Sequence, residues 1–243
     1  MVDVLRLCVW SSPRNVSTAL MYSFAQRPDT RVIDEPLYGH YLRVSGAEHP
    51  VPEDVITSME SDGRKVISDV ILGPCDRSTL FMKQMTHHLV DIDLSFLRRT
   101  TNVLLTRDPV EMLPSLDGVL DTPTLRDTGF KGQADLLARL HEYGQNPPVL
   151  DSRELLRNPP GVLAALCHRV GIGFDERMLG WAAGPRPEDG VWAPHWYANV
   201  HRSTGFQPYR PKPEPFPPHL EPLLDECRPY YDTLYELAIK ADD

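Results

Sequence analysis

Short apolar runs, each closed by polar residues, punctuate the chain at 4–10, 30–33, 80–83, 102–106 and 148–151. Their length suits buried strands of a parallel sheet, which read as continuous apolar stretches rather than alternating ones. Helical spacing recurs between them. Leu20, Met21 and Phe24 predict a helix that starts from an N-cap at Ser17 and runs to about Arg27. Pro109 suits the first turn of a helix over 110–120, and Leu136, Leu137 and Leu140 form the inner face of one over 133–143. An apolar-faced helix after Pro159 closes at Val170-Gly171-Ile172, and Leu223, Leu224, Leu234, Leu237 and Ile239 predict a structural helix over 219–240. Strand and helix in alternation give an α/β fold of three layers: a central parallel sheet of about five strands flanked by helices, with ligands at the strands' carboxyl ends.

Two segments break the alternation. Residues 41–74 are polar and divided by Gly46, Pro50, Pro52 and Gly63, which predicts an insertion of short helices and loops lining one side of the site. Residues 185–222 hold ten of the 24 prolines together with Trp192, Trp196 and Tyr197. That excludes a regular helix, and so many aromatics exclude a disordered linker; an ordered covering loop remains. A shorter polar break spans 121–129.

Composition narrows the class. With 243 residues and 41% hydrophobic content, the chain can bury one sizeable core, so residues 1–243 are expected to be a single domain. Lys and Arg number 25 against 34 Asp and Glu, a net charge of -9 that disfavours a nucleic-acid binder. Cys8, Cys75, Cys167 and Cys227 form no Cys-x-x-Cys pair, so they read as small core residues in a reducing cytoplasm rather than as a zinc site or disulfide framework. No basic region precedes an apolar segment at the N-terminus, and no run approaches the ~18 apolar residues of a membrane span. A soluble, cytoplasmic protein is expected, and a homo-oligomer is compatible with this.

Candidate chemistry gathers at the strand ends. After the first run come Ser11-Ser12-Pro13-Arg14-Asn15-Val16 and then Ser17-Thr18. A strand, a polar loop and a helix start carrying Arg14, Ser17 and Thr18 make a receptacle for an anion. It is not a Walker A loop, since residues 4–20 contain neither glycine nor lysine. Pro36 biases Glu35 toward an extended backbone, which would leave Asp34 and Glu35 at the carboxyl end of their strand; alternatively they cap a helix starting near Leu37. Lys83 ends an apolar strand and is costly to bury unpaired, so it should reach a carboxylate or a ligand anion. His87 and His88 are adjacent and cannot both face one site in a regular element; at least one is expected to be exposed. Arg107 stands at a strand-to-helix corner, with Asp108 and Glu111 as alternative, purely structural partners.

Several of these stretches resemble sulfotransferases that use 3′-phosphoadenosine 5′-phosphosulfate (PAPS). Pro13, Arg14, Ser17 and Thr18 match the family's 5′-phosphosulfate loop, with Val16 where a small glycine often stands. The strand 102–106 followed by Arg107, Asp108, Pro109 and Ser115 matches the 3′-phosphate segment, in which a guanidinium can fork two phosphate oxygens and a hydroxyl can donate to a third. The run from 148 through Glu154, Leu156 and Pro159 to Gly171-Ile172 resembles the family too, although Asp151-Ser152 replaces the more usual Tyr-Glu, and no catalytic role is placed there. Residues 200–206 resemble the late basic loop that covers adenine and the 3′-phosphate.

The resemblance spans 4–205 and implies a P-loop NTPase-like fold. It also implies in-line transfer of a sulfuryl group from PAPS to a hydroxyl or amine of a small-molecule acceptor, leaving adenosine 3′,5′-bisphosphate and requiring no metal. Donor binding would fall to Pro13, Arg14, Asn15, Val16, Ser17, Thr18, Arg107 and Ser115, and to Arg202, Ser203, Thr204 and Gly205. Arg14 and Lys83 would act electrostatically, and the general base would be Glu35 or His87. Glu35 is favoured because Pro36 fixes the chain where its strand leaves the sheet. The alternatives are a P-loop phosphotransferase (a small-molecule kinase), with residues 32–35 as a Walker B-like strand holding Mg²⁺, and a nucleotide-binding protein without activity.

Overall fold

A computed structural model describes residues 4–120, 122–211 and 214–242. Asp121, which opens the polar break, and 212–213 of the proline-rich segment lie outside the described residues. The strands are β1 (Leu5–Ser11), β2 (Thr30–Asp34), β3 (Thr79–Met85), β4 (Thr101–Thr106), β5 (Val149–Asp151) and β6 (Ala238–Ile239). They form one sheet in the order β2-β3-β1-β4-β5-β6. The pairs β2/β3, β4/β5 and β5/β6 are parallel. All of β3 is buried, as a strand covered on both faces must be.

The principal helices are α1 (Ser17–Phe24), α2 (Tyr38–Ser45), α3 (Pro109–Asp117), α4 (Phe130–Glu142), α5 (Pro159–Arg169) and α6 (Glu221–Leu237). The sixth strand corrects the expected count. It lies inside the stretch read as the final helix, where Ala238 turns extended at φ -68° and ψ 142°. Ala238 and Ile239 then pair with Val149 and Leu150. A strand of two residues leaves no periodic trace, so Ile239 counted equally well toward the helical pattern. Leu237, expected inside, is 41% exposed, whereas Leu223, Leu224 and Leu234 are buried. The first helix also stops at Phe24 rather than near Arg27.

The fold contains two compact units. One comprises Ser17–Asn102 and Asp175–Phe206 with the first residues of β1. In it Phe24 stacks on Phe81 at 4.6 Å, and Tyr38, Tyr41, Val55, Trp192 and Tyr197 share a buried cluster. The proline-rich segment does form helix after all, in two single turns, Ala193–Trp196 and Ala198–His201. Pro194 is tolerated because it stands in a first turn, where no intrahelical N–H is needed. The polar insertion carries the helical turns Pro52–Ser58, Gly63–Lys65 and Val66–Ile71.

The other unit comprises Trp10–Val16, Val103–Phe174 and the segment from Gln207 onward. There α3 and α6 bury Met112, Leu113, Leu116, Leu224 and Cys227 together with Phe130 at the start of α4. The four thiols are free; Cys8, Cys167 and Cys227 are buried, and Cys75 is partly exposed. Among the described residues no helix is long and apolar enough to cross a membrane.

Asp151 ends β5 and caps the turn Ser152–Arg157, accepting from the N–H groups of Arg153 (2.9 Å) and Glu154 (3.2 Å) and from the Tyr231 hydroxyl (3.1 Å). Burial lifts its carboxyl from 3.8 to about 6, although the capping bonds and Arg153 pull the other way. Because the folded value is raised, this group favours folding below pH ~4 and the contribution is lost as pH rises through about 6. Asp151→Asn keeps a capping oxygen and removes the charge. It should therefore gain on the order of 1–3 kcal/mol at pH 7 and little at pH 4. Urea unfolding at both pH values checks this, and an equal change at the two would show that the charge is not what the site resists.

Candidate active site

Beyond β1 the chain turns through 12–16 into α1 without a glycine. Arg14 takes a left-handed φ of 56°, a conformation that costs an L-residue roughly 1–2 kcal/mol. The loop is fixed on both sides of it. The Arg14 carbonyl accepts from Arg107 Nη1 at 2.7 Å, and Arg14 Nε donates to Ser115 Oγ at 2.9 Å. Asn15 Nδ2 donates to the Leu105 carbonyl (2.9 Å), while its Oδ1 accepts from Val16 N–H (2.7 Å) and faces the Ser152 hydroxyl. Ser17 and Thr18 follow in the first turn of α1, Ser17 buried.

Two guanidinium groups are thus held at one corner. Arg107 has the structural partner anticipated for it, Glu111, at 3.6 Å, while Asp108 caps α3 and pairs with Arg153 at 3.3 Å. Among the described residues no carboxylate lies within ion-pair distance of Arg14. Burial, and then repulsion from Arg107, hold its pKa below the ordinary arginine value. The corner carries more positive charge than its own carboxylates neutralise, and the Ser12 and Thr106 hydroxyls are buried there without protein partners. Such an arrangement of charge and unpaired hydroxyls can receive an anion.

A second constellation lies at the carboxyl ends of β2 and β3. Glu35 is not extended: its φ is 45°, held by the bonds Glu35 N–H to the Lys83 carbonyl and Tyr38 N–H to the Glu35 carbonyl, both 2.9 Å. These bonds turn the chain sharply into α2 and override the bias set by Pro36. The capping alternative does not occur either, since the N-cap of α2, Leu37, receives no side-chain bond.

Both carboxylates instead meet Lys83. Its ammonium donates to Asp34 Oδ1 (2.9 Å), Glu35 Oε1 (2.5 Å) and the Tyr197 hydroxyl (2.6 Å). Tyr197 in turn donates to Asp34 Oδ2 (2.7 Å) and accepts from Trp192 Nε1 (3.0 Å). An ammonium has three donors, and here all three are engaged. Burial alone would lower the Lys83 pKa, but the two carboxylates outweigh it and hold the value well above normal. For Glu35 the largest influence is burial, which raises its pKa; Lys83 opposes this, Asp34 reinforces it, and the net direction is upward.

The two histidines are arranged differently from expectation. Neither is exposed: they share a tight turn, Thr86–His88, with rings edge to face at 4.6 Å. His87 packs against Tyr41, whereas His88 is fully buried and brings Nε2 to 3.8 Å from Glu35 Oε2. In the late loop Arg202 is exposed and donates to Asn199 Oδ1 at 2.6 Å. Ser203 bonds the Val200 carbonyl and Trp181 Nε1, and Gly205 bridges to Gly180.

The profile of the sulfotransferase domain family matches residues 5–238, nearly the whole chain. The chain belongs to the sulfotransferase family. Two Arabidopsis thaliana proteins, branched-chain-amino-acid aminotransferase-like proteins 2 and 1, are 38% and 40% identical to it over 226 residues, or 93% of the chain. The chain spans 40% of the length of each of these curated relatives. In fold it is similar to a sulfotransferase from Alicyclobacillus acidocaldarius, with a TM-score of 0.58 at 12% identity, covering 97% of this chain and 96% of that one.

For a sulfotransferase, the loop after β1 and the corner after β4 are the segments singled out by sequence, and the structure brings Arg14 into contact with both Arg107 and Ser115. Asp34, Glu35 and Lys83 also meet. Sequence reasoning missed Tyr197, Ser152 and His88. Tyr197 stood out only as one of several aromatics in a proline-rich stretch, and no local pattern marked it as a partner of Lys83.

Lys83→Met should destabilise by about 3–5 kcal/mol at pH 8, because two buried carboxylates would lose their cation. The cost should shrink as pH falls through the raised Glu35 pKa and that group becomes neutral. Urea unfolding of both proteins at pH 8 and pH 5 tests this; a cost independent of pH would show that the carboxylates are not charged in the folded state.

Proposed function

We propose that this sulfotransferase transfers a sulfuryl group from PAPS to a hydroxyl or amine of a small-molecule acceptor. The observation that carries the reading is the strained, doubly cationic corner in which Arg14 contacts both Arg107 and Ser115. Arg107 and Ser115 are assigned to the donor's 3′-phosphate. Arg14, the loop from Pro13 to Val16 and the α1 start with Ser17 and Thr18 are assigned to the 5′-phosphosulfate, where backbone N–H groups and a guanidinium suit charge that grows on the departing phosphate. Residues Arg202 to Gly205 are assigned to the adenosine end.

Glu35 is assigned as general base, taking the proton from the acceptor hydroxyl as its oxygen bonds to sulfur and the bond from sulfur to the phosphate oxygen breaks. An ordinary glutamate, with pKa near ~4.3, is a weak base toward a hydroxyl, so the upward displacement by burial and by Asp34 favours the assignment. Lys83, with its three donors already engaged, is read as the group that positions Glu35 rather than as a direct ligand of the transferring group.

Adenosine 3′,5′-bisphosphate should raise Tm without magnesium, whereas a kinase would be stabilised preferentially by ATP with magnesium. Arg107→Ala should cost roughly 1.5–3 kcal/mol of bisphosphate binding and narrow the preference over AMP. Equal losses for the two nucleotides in calorimetry would remove the 3′-phosphate assignment. Glu35→Gln should lower turnover with labelled PAPS by about 10²–10⁴ and leave bisphosphate affinity nearly intact, whereas His87→Asn should do much less. The reverse ranking would move the base to His87.

A further inference from the structure

The segment from Gly180 to Gly205, within the unit that also holds α1, returns beside its own start. Gly180 bridges Gly205, Trp181 N–H donates to the Thr204 carbonyl (3.0 Å), and Gly184 N–H donates to the His201 carbonyl (2.7 Å). The residues assigned to the adenosine end of the donor, Arg202 to Gly205, thus form one edge of a neck whose other edge is 180–184. Residues 182–188 include Pro185 and Pro187 and are mostly exposed, so little apolar burial holds that second edge in place.

A single carboxylate supplies the fastening. Asp189, whose side chain is 5% exposed, accepts from the Tyr22 hydroxyl with both oxygens (2.7 and 2.8 Å), and its Oδ2 accepts from Arg186 N–H (2.9 Å) and His201 Nε2–H (2.9 Å). The three donors come from α1, from the exposed edge of the strap, and from the residue immediately before Arg202. The surrounding rings agree with this arrangement: the Arg186 guanidinium lies over the Tyr22 ring at 4.7 Å, and Trp181 meets that ring edge-on at 6.2 Å. Burial, and then the bond to Asp189, keep the Tyr22 hydroxyl in its protonated, donating form. Removing the shared acceptor would strand all three donors at once.

We infer that Asp189 is a positioning residue for donor binding: it fastens the strap to α1 and sets the backbone of Arg202 to Gly205 before the nucleotide arrives. This rests on the sulfuryl-transfer reading and adds to it a residue with no assigned contact to the donor or the reacting atoms. A preformed loop spares the nucleotide the cost of ordering it, and a loosened loop charges that cost to every binding event. Geometry rather than charge is what the clasp needs. Because both N–H donors meet Oδ2, an asparagine can place its carbonyl oxygen there and turn its amide N–H toward the Tyr22 oxygen, whereas an alanine serves none of the three.

Two measurements on the full chain test this. In the first, hydrogen exchange read by mass spectrometry compares the wild type with Asp189→Ala and Asp189→Asn in the absence of nucleotide. Asp189→Ala should speed exchange across 180–205 by about tenfold or more and leave peptides of β3 unchanged, and Asp189→Asn should restore the protection. Protection that survives Asp189→Ala, or that is lost equally in β3, overturns the clasp. In the second, calorimetry with adenosine 3′,5′-bisphosphate should show Kd raised by about tenfold or more in Asp189→Ala and close to the wild-type value in Asp189→Asn. An unchanged Kd in Asp189→Ala, or equal losses in both variants, overturns the positioning role. If the wild-type protein binds no bisphosphate, the donor reading fails, while the exchange experiment still decides whether Asp189 holds the strap.

Discussion

One ammonium group organises a buried polar cluster at the ends of β2 and β3. Lys83 sits inside a strand that is buried along its whole length, where an unpaired charge would be intolerable, and it answers that cost with three short bonds to Asp34, Glu35 and Tyr197. Each bond ties down a different part of the chain: the end of β2, the left-handed turn into α2, and the aromatic segment before residue 205. The charges do not cancel. Two carboxylates share one cation, and burial, reinforced by the charge of Asp34 and opposed by Lys83, raises the affinity of Glu35 for a proton.

The second constellation follows the same logic with the sign reversed. A glycine-free turn forces Arg14 into the left-handed region, and Arg107 stabilises that backbone by donating to its carbonyl. The contact that holds the strained loop also brings a second guanidinium to the first. Like charges at short range are unfavourable unless an anion joins them, so the fold carries local strain and local repulsion at one point. Both strained non-glycine residues at strand ends, Arg14 and Glu35, are residues with assigned chemistry.

Much of this was legible in the sequence because the signals were local. Continuous apolar runs located five strands, and Pro109 with Arg107 and Ser115 located the corner after β4. The anticipated partner of Lys83 was a carboxylate or an anion, and it is a pair of carboxylates. What escaped detection depended on tertiary contact. Glu35 departs from the conformation favoured before proline because bonds to Lys83 and Tyr38 backbone groups outweigh a bias of local origin. Tyr197 reaches Asp34 across more than a hundred residues of sequence. His88 rather than its neighbour faces Glu35, a choice fixed by the turn geometry of Thr86–His88, which two identical adjacent side chains cannot reveal. The two-residue β6 was hidden inside a helical pattern.

In the proposed reaction the Arg14–Arg107 corner reads both phosphate groups of the donor nucleotide. A crystal structure with adenosine 3′,5′-bisphosphate tests it most directly. The 5′-phosphate is expected on the loop amides and Arg14, and the 3′-phosphate within hydrogen-bond distance of Arg107 and Ser115. A nucleotide bound elsewhere, or with its 3′-phosphate turned away from Arg107 and Ser115, would contradict it.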